Sequence, residues 1–427
     1  MKLNYKRTFF IGLAFMSISA FWQMYDNIVP LILQNTFHMD ETLIGTIMAM
    51  DNVLAVMLLP FFGTLSDKVD TKWGKRTPFI VLGTALAVIL MMILPYADMS
   101  NNLILFVIVL GLVLIAMGLY RSPAVALMPD LTPKPLRSKA NSIINLMGAL
   151  GGVYTLILIS FLVGKESRPN YYPLFIGVAF LMVAAVVLLL ITTNEKKLAA
   201  QIVAEYGDDN EEKEETVEEV KEELPKDVKR SLTMILISIF LWFAAYNAVT
   251  TAFSRYAQKV WNLQGGGFAN CLMVATVAAI LSYIPIGIIA EKIGRKKSIM
   301  IGLCLMFGSF FSCIFVKEFT PLINIGFVAI GMGWAAIGVN SLPMVVQICK
   351  AGDVGKYTGL YYTFSMSAQI ITPVLSGWLL GNVSYRTLFP YSCVFTALAL
   401  LTMSQVKHGD VVVPSKKSML EHFDVED

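Results

Sequence analysis

Gly63-Thr64-Leu65-Ser66-Asp67-Lys68-Val69-Asp70-Thr71-Lys72-Trp73-Gly74-Lys75-Arg76-Thr77-Pro78 is a densely charged stretch between two long apolar runs. An Asp, Lys or Arg at the centre of a membrane helix costs about 2.5–3.5 kcal/mol each, so the stretch is expected as a tight loop at a membrane surface. A degraded copy, Gly287-Ile288-Ile289-Ala290-Glu291-Lys292-Ile293-Gly294-Arg295-Lys296-Lys297, again separates two apolar runs. Two copies of one loop predict two copies of one helical bundle.

The composition agrees. Apolar residues form 56% of the chain and charged residues 15%, outside the range of soluble domains and inside that of polytopic membrane proteins. Runs of about 20 apolar residues cross about 30 Å of hydrocarbon. Such runs lie near 9–36, 42–64, 78–97, 102–129, 139–164, 171–193, 231–261, 267–290, 298–316, 321–349, 357–382 and 387–406. In lipid the backbone must satisfy its own hydrogen bonds, and the runs lack the alternation of a barrel, so helices are expected.

Lys2, Lys6 and Arg7 precede the first run with no small-residue cleavage site after it, which reads as a retained helix with a cytoplasmic amino terminus. Twelve crossings return the carboxyl terminus to the same side. The basic residues of both loop copies fall there, whereas Lys165, Arg168, Arg255, Lys259, Lys317 and Arg386 are what the opposite side carries, a positive-inside pattern. Between Glu205 and Arg230 about 12 acidic residues face about 5 basic ones. That segment reads as a solvated linker, or as a linker with one short surface helix on Val217, Val220 and Leu224. Cys271, Cys304, Cys313, Cys349 and Cys393 lack metal or redox spacing and read as small core residues. The tail from Lys407 onward reads as mobile.

Further marks of duplication recur at an offset of about 220 residues. Trp22 and Asn27 reappear as Trp242 and Asn247, and Ser122 as Ser341, with Arg121 replaced by Asn340. The expected organisation is a six-helix bundle over 1–194, an acidic linker over 195–230, a second bundle over 231–406 and a tail over 407–427. Parallel six-helix repeats with a site at the midplane are a transporter plan.

The loop pair, the helix count and the acidic linker resemble the major facilitator superfamily across residues 8–406. Gly63-x-x-Ser66-Asp67 followed by Gly74-Lys75-Arg76-x-Pro78-Phe79-Ile80 is similar to the sucrose/proton symporters, as is Ser122-Pro123-Ala124-Val125-Ala126-Leu127-Met128-Pro129-Asp130-Leu131. The resemblance implies an all-α membrane protein with twelve transmembrane helices in two pseudo-symmetric six-helix bundles. It also implies an inner latch in which Asp67 and Arg76 occupy the family's positions. Gly63, Lys68, Gly74 and Lys75 belong to the same gating motif, Asp130 and Arg137 flank the Pro133-Lys134-Pro135 turn on that face, and Gly287, Glu291, Gly294, Arg295 and Lys296 are the counterpart. The alternative is that Lys75 and Arg76 only orient the chain in the membrane.

Asp26, Asp51 and Arg121 fall inside the hydrocarbon, where ionisable residues face a bundle interior or a water-filled cavity. We read them as a proton-coupling set, against the alternative of a permanent ion pair. Melibiose-type carriers place paired carboxylates one turn apart, and here Ala55 follows Asp51 at that spacing, which favours protons over sodium. Sugars are held by planar hydrogen-bond partners and aromatic faces. Trp22, Gln23, Tyr25, Asn27, Asn52, Tyr120, Asn145, Tyr154, Tyr246, Asn247, Asn340 and Gln369 are the candidates. Arg255 reads as a gate residue or an interface anchor. The expectation is a monomeric secondary transporter of the plasma membrane, taking up a disaccharide or related glycoside with protons, in contact with lipid, binding no nucleic acid and requiring no cofactor or metal. Alternatives are an exporter of drugs or metabolites and a non-translocating sensor. His38, His408 and His422 lie outside the runs, and no phosphate-binding loop or metal-ligand set argues for an enzyme.

Overall fold

A computed structural model describes residues 3–133, 136–206, 225–348 and 354–410. Its regular elements, among the described residues, are helices: α1 (Tyr5–Asn35), α2 (Glu41–Asp67), α3 (Thr77–Met91), α4 (Ile93–Met99), α5 (Leu103–Asp130), α6 (Arg137–Leu162), α7 (Tyr172–Thr192), α8 (Glu195–Tyr206), α9 (Lys226–Val260), α10 (Phe268–Ile293), α11 (Arg295–Ile314), α12 (Ile323–Val346), α13 (Val354–Asn382) and α14 (Leu388–Ser404). Asn4 and Asn102 start α1 and α5 by accepting the backbone N–H groups of Arg7 and Leu105 at 3.1 and 3.0 Å. Helices α3 and α4 form one crossing, Thr77–Met99. It breaks at Met92 because Pro95 has no N–H to offer the carbonyl of Met91.

Counting α3 and α4 as one and leaving out α8, twelve helices have membrane-crossing length, as the apolar runs predict. Eleven of them are also strongly apolar. The twelfth, α13, spans 29 residues but carries tyrosines, serines and threonines along much of its length. Outward faces are rich in large apolar side chains such as Phe161, Phe180, Ile191 and Ile104, the surface that lipid requires.

The chain divides into two compact units. Unit 1 holds residues 1–39, 50–213 and 264–269, and unit 2 holds 40–49, 214–263 and 270–427. The same packing plan appears in each. In unit 1, α1 packs on α6 and α7, and α3 packs on α5 and α7. In unit 2, α9 packs on α13 and α14, and α11 packs on α12 and α14. First against fifth and sixth crossing, and third against fourth and sixth, is thus written twice.

Three expectations change. Helix α8 occupies the start of the anticipated linker, whose remainder, with Val217, Val220 and Leu224, lies outside the described residues, as does Cys349. The beginning of the tail is fixed: Lys407 N donates to Ser231 Oγ at 3.2 Å, and the Asp410 carboxylate accepts Lys296 N at 3.2 Å. Cys271, Cys313 and Cys393 are buried, but Cys304 is exposed on the apolar outer face of α11.

Candidate functional site

The charged loop of unit 1 folds around two carboxylate clusters. Arg76, 8% exposed, pairs with Asp67 and with Asp130 Oδ2 at 2.8 Å, and donates to the Ser66 hydroxyl and to Gly63 O at 3.4 Å. Burial disfavours the charged guanidinium, but the Asp130 and Asp67 carboxylates outweigh it and raise its pKa above the ordinary value. Gly63 provides the close approach of α2 to α5: a Cβ there would stand 3.1 Å from Ser122 Oγ, which donates to Leu59 O at 2.7 Å. Arg137 donates to Thr132 O and Pro129 O at 3.2 and 3.1 Å, which satisfies carbonyls at the end of α5. Lys68 and Lys75 are exposed, and the backbone N–H of Lys75 joins the second cluster.

That second cluster centres on Glu195, which sequence reasoning left in the linker. Its carboxylate accepts Lys75 N at 2.7 Å, Arg76 N at 2.9 Å, Thr77 N at 2.8 Å and Thr77 Oγ1 at 2.6 Å. This is an acid at the amino end of a helix, where the backbone dipole and unpaired N–H groups favour it. Gly74 makes it possible, with φ of +109° and no Cβ to overlap the carboxylate. Unit 2 repeats the device: Gly294 has φ of +92°, and Asp410 takes the place of Glu195 beside the start of α11. Lys296 Nζ donates to Ser404 O and Val406 O at 2.9 and 2.6 Å. Arg295 is buried beside Gln347, Gly287 is buried, and Glu291 is half-buried near the end of α10.

The intramembrane residues of unit 1 converge. The Asp51 carboxylate accepts both the backbone and the side-chain N–H of Asn52 at 2.6 and 2.7 Å and lies within electrostatic range of Arg121 and of Asp26. The Arg121 guanidinium stands 5.8 Å from the Trp22 ring, and the two line a cleft with Asp51, Leu54, Leu58 and Leu114. Trp22 Nε1 and the Tyr25 hydroxyl are buried donors without a hydrogen-bond partner among the described residues. Gln23 and Asn145 are half-buried on α1 and α6. Asn27 donates to Gln23 O within its own helix at 2.9 Å. Two further candidates join helix to helix. Tyr120, fully buried, bonds Ser17 Oγ at 2.5 Å and Ala14 O at 3.1 Å, and Tyr154 donates to Gly177 O at 3.0 Å, so both hydroxyls tie helix to helix.

Unit 2 carries an aromatic stack on α9 and α12, the helices that also hold Asn247 and Asn340. Tyr246 lies face to face with Trp334, centroids 3.8 Å apart, and Phe243 meets Trp334 edge-on at 5.3 Å. Asn247 Nδ2 on the next position of α9 is buried without a partner among the described residues. Asn340 bonds its own helix at Ala336 O, 2.8 Å, and Gln369 is half-buried on α13. Trp334 escaped the sequence reading because it sits in a run of small apolar residues and has no counterpart in the first repeat. No group of three or more His, Cys, Asp or Glu side chains among the described residues is arranged to hold a metal.

A family model described as Major Facilitator Superfamily matches residues 11–282 and 267–419. The chain belongs to the major facilitator superfamily. Solved structures of similar fold include the nucleoside transporter NupG, with TM-score 0.69 and 13% identity over 94% of this chain and 100% of that one. The xylose transporter XylE from E. coli gives 0.66 and 14% over 98% and 97%. A POT family transporter in complex with a thioalcohol-conjugated peptide gives 0.70 and 13% over 93% and 94%. Among curated proteins, Sucrose transport protein SUC3 of Arabidopsis thaliana is 28% identical over 120 residues, which are 24% of this chain and 20% of that protein. The superfamily protein described here is therefore a multi-pass membrane transporter of the alternating-access type, in a family of carriers rather than enzymes.

Proposed function

We propose that the protein is a proton-coupled symporter of a disaccharide or related glycoside, acting as a monomer in the plasma membrane with both termini cytoplasmic. The observation that carries this reading is the convergence of Asp26, Asp51 and Arg121 near Trp22 Nε1 and Tyr25 OH, buried donors without a hydrogen-bond partner among the described residues. Two carboxylates and one guanidinium form a set in which a proton can replace the missing cation. The donors and the Tyr246–Trp334 stack suit hydroxyl rims and apolar ring faces. No cluster of basic residues lies among these positions, which disfavours phosphates and polyanions, and the partial likeness to a sucrose transporter points the same way. The loop clusters around Arg76 and Arg295 act as the gates of the cycle.

The test is uptake of labelled mono- and disaccharides into proteoliposomes, with and without an inward proton gradient. Accumulation of one sugar only with the gradient, lost in Asp26→Asn or Asp51→Asn, supports the symporter. Equilibration without a gradient, or unchanged proton dependence in both variants, rejects proton coupling. A second reading, an exporter of lipophilic compounds, draws on the Leu54, Leu58 and Leu114 wall beside Asp51. Absence of sugar flux together with efflux of cationic dyes would establish it instead.

A further inference from the structure

Each unit places an arginine just after its loop glycine of positive φ, and the two arginines meet different surroundings. In unit 1, Arg76 follows Gly74 and is held by the Asp67 and Asp130 carboxylates and the Ser66 hydroxyl. In unit 2, Arg295 follows Gly294 and is 9% exposed. Its guanidinium reaches the end of α12, where Nη2 donates to the Gln347 amide oxygen at 3.2 Å. The Gln347 amide nitrogen donates to Gly409 O at 3.3 Å, which fixes the orientation of the amide. Nε and Nη1 of Arg295 are buried without a hydrogen-bond partner among the described residues.

The units differ in charge at one place. Asp130 is the last residue of α5, the fourth crossing of unit 1, and Gln347 is the residue that ends α12, the fourth crossing of unit 2. The acid neutralises its arginine, and the amide cannot. Asp410 lies within electrostatic range of Arg295, but its carboxylate accepts Lys296 N at 3.2 Å and sits against Gly294. Glu291 is half-buried near the end of α10. Lys292 and Lys297 are exposed, and Lys296 Nζ is taken up by Ser404 O and Val406 O. Lys292, Arg295, Lys296 and Lys297 outnumber Glu291 and Asp410, so the loop keeps a surplus of positive charge.

Burying a cation without a counter-ion is unfavourable, and buried charges are found paired. The start of α11 adds the same preference, because its first N–H groups and its dipole favour an anion. The planar arginine fork, with N–H groups on adjacent nitrogens, matches an oxyanion such as phosphate. We propose that Arg295, with the Gln347 amide and the first turn of α11, forms an oxyanion site in unit 2 that takes a phosphate group, either free phosphate or a phospholipid headgroup. The site lies about 20 Å along α12 from Trp334 and does not depend on which solute the protein carries.

The full-length protein, purified in uncharged detergent and stripped of lipid, is melted over a titration of sodium phosphate with ionic strength held constant by chloride. A second series uses dihexanoyl phosphatidic acid. A saturable rise in melting temperature is expected, and the same rise in Arg295→Gln should need about tenfold or more of the compound, the loss of a charge-assisted hydrogen bond. A rise with sodium phosphate supports a site for the free ion, and a rise with the lipid alone supports a site for a headgroup. Gln347→Glu puts a carboxylate where unit 1 has Asp130, and it is expected to melt above the wild type without phosphate and to lose the response. No rise with either compound overturns the site, as does an equal response in Arg295→Gln. If Arg295→Gln does not fold, an undiminished response in Gln347→Glu overturns it alone.

Discussion

The Glu195 carboxylate fills the space that a side chain on Gly74 would need, and from there it receives the N–H groups of Lys75, Arg76 and Thr77. The two positions are 121 apart in sequence and act as one structural unit. Glu195→Ala leaves those buried donors unpaired and is expected to cost about 1–3 kcal/mol. Gly74→Ala is expected to cost a similar amount through the positive φ and the overlap. In the double variant the overlap is gone, so the combined loss should fall short of the sum. Thermal melts of the purified wild type and the three variants measure the coupling.

Arg76 reaches two carboxylates and a hydroxyl with a planar fork, a geometry that lysine lacks. Arg76→Lys is expected to slow transport about tenfold and to lower stability by about 1 kcal/mol or less, because Asp67 and Asp130 are 58% and 40% exposed and their attraction is screened. The stability difference should shrink as salt is raised from 0.05 to about 0.5 M. A difference that salt does not change would place the role of Arg76 in its Ser66 and Gly63 hydrogen bonds instead.

Trp22 offers a ring to Arg121 and, in the cleft it shares with Asp51, an N–H without a partner among the described residues. Trp22→Phe keeps a ring and removes the donor. The expected result is a KM raised about three- to tenfold, the value of one hydrogen bond, with an unchanged melting temperature. A KM equal to that of the wild type would remove the indole N–H from the binding site.

Trp334→Ala removes the platform on which Tyr246 is stacked. If the proposed sugar substrate is right, loss of one aromatic face weakens its binding about fivefold, about 1 kcal/mol, read by calorimetric titration. Unchanged affinity would assign the stack to packing of α9 on α12.

Acid should loosen the start of α2. The Thr42 hydroxyl, followed by the Thr42 N–H at 2.9 Å, holds the Asp40 carboxyl below its ordinary 3.8 against the opposing effect of burial. The folded chain therefore binds this proton less readily than the unfolded one. The stabilisation is complete above pH 3.8 and is lost as pH falls through the lower folded value. Asp40→Ala should flatten that acid limb of the melting temperature and leave the neutral plateau nearly unchanged.

Most of the fold was legible in the sequence because lipid imposes one-dimensional rules: apolar length sets the crossings, and charge density sets the loops. The Gly63–Pro78 loop and its copy also marked the duplication, which the twofold packing plan of α1 and α9 repeats. The residues that escaped are those whose meaning depends on long-range contact. Glu195 and Asp410 look like ordinary acids in polar segments, and only folding brings each to a helix start beside a glycine of positive φ. Glu41 stands at the edge of an apolar run, where a solvated cap is the natural reading, and its partner Arg255 is 214 residues away. Tyr120 and Tyr154 show the same limit: depth in a helix suggested a cavity, and only the fold shows their hydroxyls reaching Ala14, Ser17 and Gly177 on neighbouring helices.

The polarity of α13 has a consequence for how the protein is made. A helix with tyrosine, serine and threonine along much of its length shows hydrocarbon a partly polar surface, and the preceding helices it packs on are chiefly α9 and α12. Both are translated before it. Membrane integration of this segment is therefore expected to lean on assembly: α13 would enter the bilayer as a piece fitted to helices already there.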